Sequence, residues 1–256
     1  MISRRFFSQL SRSEKKKISR LPWVAFSGGL SSIYATFVLG AVSTLFYDAM
    51  GLSKSHIGLL NALIFLPGPL AIFIAPLAAQ WGFKRTFMIF YGCRKILIAL
   101  LAGSPWILER YGLSGVAIYT TSLMSFYGIL RVIAETAVYP WQHEYVPPRV
   151  RGKFTAIMNM MSTLVGIGAV SFASHFLESQ SNGLASYQFL FIVGSIFGLL
   201  SVLAKWPVPG GLPDSRSNSY TDYFKELRRP LKDGPLRKFL LGLSLVSIAT
   251  HSWGTF

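Results

Sequence analysis

The chain has 256 residues, 52% of them hydrophobic and only 14% charged, with a mean hydropathy of +0.45. One soluble core does not need that much apolar side chain, so the composition argues against a purely aqueous domain and for lipid as part of the solvent. A formal net charge of +15 would suit a nucleic-acid binder, but the charges sit between long apolar runs where no folded polar domain organises them, which argues against that partner.

In chain order, a basic segment over residues 1–23 comes first and carries Arg4, Arg5, Arg12, Lys15, Lys16, Lys17 and Arg20. Apolar stretches of about 18 or more residues, the length that spans a hydrocarbon core, follow at 24–48, 57–80, 86–106, 115–137, 154–177 and 186–204. A seventh begins at 239 and is still running at Phe256, so the expectation is a span cut short. In lipid each segment must satisfy its own backbone N–H and C=O groups, so runs of this length predict helices. The alternating short strands of a membrane barrel are not seen in the sequence. The first run is longer than the apolar region of a signal peptide and no small-x-small cleavage site follows it, so it reads as a retained span.

The connections alternate in charge. Lys84 and Arg85 lie between the second and third runs, Arg149, Arg151 and Lys153 between the fourth and fifth, and eight Lys and Arg between Lys205 and Lys238. The other connections, near 49–56, 107–114 and 178–185, carry only Lys54 and Arg110. Basic loops stay on the cytoplasmic side, which predicts a multi-pass protein of the cell membrane, plasma or inner, with a cytoplasmic N-terminus. Residues 24–204 then form a six-helix transmembrane unit with short loops between antiparallel neighbours. Residues 205–238 form a long cytoplasmic loop, in which SYTDYFKELRR predicts a short amphipathic helix at the membrane surface. A single cysteine, Cys93, leaves no disulfide within the chain and no CxxC motif.

The connection between the second and third runs, APLAAQWGFKR, resembles the G-x-L-A-D-R-x-G-R-K signature of the major facilitator superfamily, with Leu77, Ala78, Gly82, Lys84 and Arg85 in register. EYVPPRVRGKF, from Glu144 to Phe154, resembles that family's link into its fifth helix. The resemblance covers essentially the whole chain. It implies an all-α membrane protein: the six-helix N-terminal bundle of the family, a 3+3 inverted repeat, followed by a truncated seventh helix and a missing C-terminal six-helix half. It further implies a secondary transporter of a small solute working by alternating access, with the lipid bilayer as surroundings and no cofactor, coupling to a proton or Na+ being left open. Ala75, Ala79 and Gln80 depart from the signature. The acid replaced by Ala79 helps to lock the family's outward-facing state, so that latch is in doubt. Gly82 permits a tight reversal, and Lys84 with Arg85 keeps the turn cytoplasmic as a gate element.

Charges inside apolar runs mark a pathway or a partner, because they are costly in lipid. Arg94 and Lys95 lie about eight residues inside the third run, where long side chains are expected to snorkel to the interface. Arg131 and Glu135 are spaced i,i+4, and Thr120, Met124, Tyr127, Arg131 and Glu135 share one helical stripe. The resemblance places the first and fourth helices around the central cavity, so Tyr34, Thr120, Tyr127, Arg131 and Glu135 are the expected cavity wall. Two functional readings stay open. Arg131 contacts an anionic substrate while Glu135 takes a proton, or both join Arg85 in a cytoplasmic gate; a structural salt bridge is the plain alternative. Ser27, Ser31 and Tyr34 share a face of the first helix and fit interhelical packing, and Pro67, Gly68, Pro69 and Pro76 predict a loosened second helix.

An enzyme would need clustered acid, base or metal-binding side chains. His56, His143, His175 and His251 are scattered, with no metal-ligand spacing and no nucleophile elbow. A membrane transferase is therefore the weaker rival, and a non-transporting receptor or scaffold on the same fold the stronger one. No catalytic or metal-binding residue is expected.

Overall fold

Glycine and proline decide where the apolar runs start and stop. The structure, a computed structural model, describes residues 11–179, 183–213 and 232–253, and every regular element among them is a helix. Helix α1 (Arg12–Ile18) opens on a capping box: the Ser11 hydroxyl accepts from the Glu14 N–H and the Glu14 carboxylate from the Ser11 N–H. The first apolar run becomes α2 (Leu21–Val38) and α3 (Ala41–Ala49), divided at Gly40. In the second run Pro67 and Pro69 lack the N–H that a helix needs. A single 3-10 turn, Gly68–Leu70, accordingly separates α4 (Lys54–Leu63) from α5 (Ala71–Trp81). Then come α6 (Phe83–Ala99), α7 (Ser104–Tyr145), α8 (Arg151–Ser179) and α9 (Leu184–Ala204).

Five stretches are long and apolar enough to cross a membrane: Ser13–Ala49, Lys54–Trp81, Phe83–Tyr145, Pro148–Ser179 and Leu184–Ala204. The third, of 63 residues, turns back on itself inside α7, where Gly112 adopts φ 66° and ψ −167°, a conformation that only a residue without Cβ takes up readily. Side-chain partners reveal the reversal. Tyr119 Oη donates to the Leu100 carbonyl at 2.8 Å, Arg94 Nη1 lies 3.5 Å from Glu135 Oε1, and the Phe87 and Trp141 rings are 5.6 Å apart. Residue numbers fall on one rod as they rise on the other, so residues 83–111 and 113–145 run antiparallel. The expected loop at 107–114 is thus a one-residue turn, because the residues on either side of Gly112 remain helical.

Within the unit Met1–Pro213, α2 packs against α8 and α9, α6 against α7 and α9, and α4 and α5 against α7. The α2–α9 approach depends on small residues. A Cβ at Gly198 would sit 2.8 Å from Tyr34 Cδ2 and 3.0 Å from Lys95 Cδ. Two apolar cores result. One gathers Tyr34, Phe46, Leu60, Ile98, Met124 and Phe191; the other Val24, Phe87, Ala137, Trp141, Phe154 and Val208. By contrast α8 carries an outward apolar face that includes Met160, Leu164 and Ile167, which needs hydrocarbon or another helix as its surroundings.

The second unit, Asp214–Phe256, contributes one described helix, α10 (Gly234–Trp253). The amphipathic helix expected at 219–229 lies outside the described residues.

Candidate functional site

Between the two apolar cores four helices, α2, α6, α7 and α9, place polar side chains. On α2 Ser27 and Ser31 lie between Val24 and Tyr34, and on α6 Tyr91, Arg94 and Lys95 lie between Phe87 and Ile98. On α7 Arg131 lies between Tyr127 and Ala134, and on α9 Ser201 follows Phe191. Hydroxyls join the helices. Ser27 Oγ donates to the Ser201 carbonyl at 2.6 Å, Ser31 Oγ to Ser201 Oγ at 3.1 Å, and Ser31 Oγ and Tyr91 Oη are 2.9 Å apart. Tyr34 Oη donates to Tyr127 Oη at 3.4 Å.

The cations of this layer rest on aromatic faces. Tyr91, Arg94 and Lys95 are spaced i, i+3, i+4 and so share one face of α6. Lys95 Nζ is 3.0 Å from the Tyr34 ring centroid and 4.4 Å from that of Tyr91, and Arg94 Cζ is 4.3 Å from the Tyr91 centroid. Lys205, the residue that closes α9, folds back with Nζ 4.4 Å from the Phe87 centroid. Arg94 is 7% exposed and Lys95 1%, so neither reaches the interface as expected; both turn inward onto tyrosines. A central charge costs about 2.5–3.5 kcal/mol on insertion scales, and a desolvated cation–ring contact offsets about 2 kcal/mol of that. Lys205 lies one residue beyond the span Leu184–Ala204, and burial, with the Arg94 charge adding, pushes its ammonium down to about 8.

A cavity of about 330 Å³ opens in this layer, lined by Ser31, Tyr34, Tyr91, Arg94, Lys95 and Lys205 among others. Among the described residues no Asp or Glu lines it. Glu135 stands to one side, where its Oε1 accepts from Arg131 Nε at 2.7 Å and lies 3.5 Å from Arg94 Nη1. Arg94 Nε has no hydrogen-bond partner. Arg131 also donates from Nη1 to the Ile64 carbonyl at 3.3 Å. That acceptor is free because the Gly68 N–H, its ordinary helical partner, is drawn to the Phe65 carbonyl in the turn at Pro67.

Of the expected cavity wall, Tyr34 lines the cavity, and Tyr127 touches it through the Tyr34 hydroxyl. Thr120 is fully buried two turns away and donates to the Val116 and Ala117 carbonyls of its own helix. Arg131 and Glu135 pair beside the cavity rather than lining it. Ser27 and Ser31 pack between helices as expected, meeting α9 and α6. Tyr91, Ser201 and Lys205 were not singled out in the sequence; only the spacing of Tyr91 with Arg94 and Lys95 could have drawn attention to one of them.

The connection between α5 and α6 forms a separate polar arrangement. Gly82, at φ 91°, makes the turn; an added Cβ would lie 2.9 Å from the Gly211 carbonyl oxygen. Lys84 Nζ donates to the Trp206 and Val208 carbonyls at 2.7 and 2.8 Å, and Lys84 N–H to the Gly211 carbonyl at 3.2 Å. Trp141 Nε1 donates to the Pro209 carbonyl and the Gly211 N–H to Glu144 Oε2. Residues 206–211 are thereby strapped under the turn. Leu77 and Arg85 are exposed.

Comparison with protein-family models, curated proteins and solved structures gave no match. The functional reading therefore rests on the residues themselves.

Proposed function

We propose that the chain forms one six-helix bundle of a secondary transporter of the major facilitator kind, which moves a small solute by alternating access. The carrying observation is the polar layer: cations and hydroxyls from four helices surround an open cavity of about 330 Å³ between two apolar cores, in helices apolar enough to span a membrane. Buried charge in membrane helices is costly and gathers where a solute or ion must pass. The apolar outward face of α8 supports a second bundle as its cover. The turn at Gly82 and the basic connections support a cytoplasmic N-terminus in a cell membrane, and no reaction chemistry is assigned to the chain.

A substrate-independent test labels a single cysteine. In the intact protein carrying Cys93→Ser and Ser32→Cys, a membrane-impermeant thiol reagent should reach position 32, which lines the cavity, from either side of sealed vesicles. Glu135→Gln should shift the balance between the two sides. Access from one side only, under every condition, would instead favour a static receptor or scaffold.

A further inference from the structure

The charged groups lining the cavity are Arg94, Lys95 and Lys205, all positive, and its other polar lining groups are the hydroxyls of Ser31, Ser32, Tyr34, Tyr91 and Ser162. We infer that the cavity is an anion site whose occupant is a small solute carrying a phosphate or carboxylate group. This names the substrate class of the transporter proposed above and rests on that reading for its transport step alone.

Three observations carry the inference. The first is charge balance. Glu135 is the one described carboxylate near these cations, and its Oε1 is already shared between Arg131 and Arg94, while no described carboxylate forms an ion pair with Lys95 or Lys205. The second is unsatisfied donor capacity: Arg94 is 7% exposed and lines the cavity, yet its Nε has no acceptor. An oxyanion accepts from guanidinium, ammonium and hydroxyl donors together, which a neutral solute or a cation does not. The third is how the cations are held. Lys95 lies on the Tyr34 and Tyr91 rings, Arg94 on the Tyr91 ring, and Lys205 on Phe87 and within 5.7 Å of the Tyr91 centroid. Ring faces orient a cation without neutralising it, so the positive charge remains available to a ligand. At about 330 Å³ the cavity fits a small solute rather than a polymer.

The test is equilibrium binding to the intact protein in phosphatidylcholine nanodiscs, with radiolabelled inorganic phosphate, succinate and glucose as probes. At least one of the two anions should bind saturably and glucose should not. Lys205→Gln, which alters a half-buried residue at a helix end, should weaken that binding at least about tenfold, and Arg94→Gln by as much, with Arg94→Lys partly restoring it. If neither anion binds the unsubstituted protein, or if folded Lys205→Gln and Arg94→Gln proteins bind as well as it does, the inference is overturned. Loss of soluble-anion binding when phosphatidylglycerol is added would assign the site to a lipid headgroup and overturn the solute assignment. Parallel uptake into vesicles separates the two readings: anion binding without uptake keeps the site and removes the transporter, whereas uptake of glucose without anion binding does the reverse.

Discussion

Lys95 combines full burial with a charge that no described carboxylate balances. A buried charge without a carboxylate partner carries a desolvation cost that an apolar side chain of similar length removes. Lys95→Met should therefore leave the thermal midpoint in detergent unchanged or raise it while anion binding falls, and a large loss of stability would mean that the ammonium is structural. Glu135 has the opposite character, since it holds two guanidinium groups. Glu135→Gln removes a charge-assisted bond, and for a side chain 37% exposed a loss of about 1–2 kcal/mol is expected by denaturant titration. Lys205 adds a pH dependence. Its ammonium is lowered to about 8 by burial, so it is cationic below that pH and neutral above it. The other titratable groups lining the cavity are Tyr34 from α2 and Tyr91, Arg94 and Lys95 from α6. Succinate stays ionised across this range, so its affinity should fall as pH rises through about 8, and Lys205→Gln should flatten that profile.

At the scale of helices, two glycines and a proline pair set the geometry that the site uses. Gly198 lets α9 approach α2 where Tyr34 and Lys95 meet. Gly198→Val should cost about 1–3 kcal/mol through overpacking and displace Lys95 from its ring, seen as a lower melting temperature together with weaker anion binding. Gly112, in a region of φ and ψ reserved for glycine, makes the reversal that brings α6 and the second part of α7 together. The break at Pro67 and Pro69 frees the Ile64 carbonyl for Arg131, so the loosened helix is tied back to α7 by a residue of the polar layer. The break at Pro67 and Pro69 was legible in the sequence because it follows from proline and glycine in one short segment, whereas the division of the first run at Gly40 was not. Loop lengths were less legible: whether residues beside Gly112 coil or stay helical depends on neighbours that pack against them.

In the first unit as a whole, two apolar cores are separated by one polar layer. The strap at 206–211 is held beneath the Gly82 turn by Lys84 through backbone carbonyls, and by Trp141 and the Glu144 carboxylate. Lys84 is satisfied there by the Trp206 and Val208 carbonyls. Lys84→Met should release the strap and speed proteolytic cleavage near residue 210 with little change in anion binding; unchanged cleavage would show that Trp141 and Glu144 hold it alone. By itself the sequence determined the apolar character of the chain, its long apolar runs, the loosening at Pro67 and Pro69 and the spacing that lets Arg131 pair with Glu135, all of which follow from composition and short-range spacing. Only the tertiary structure decided that Arg94, Lys95 and Lys205 converge, that Ser31 joins Tyr91 and Ser201, and that Thr120 lies in a core. The reason is physical: in lipid nearly every face of a helix is apolar, so amphipathic periodicity does not say which face turns inward, and that choice falls to close packing between helices distant in the chain.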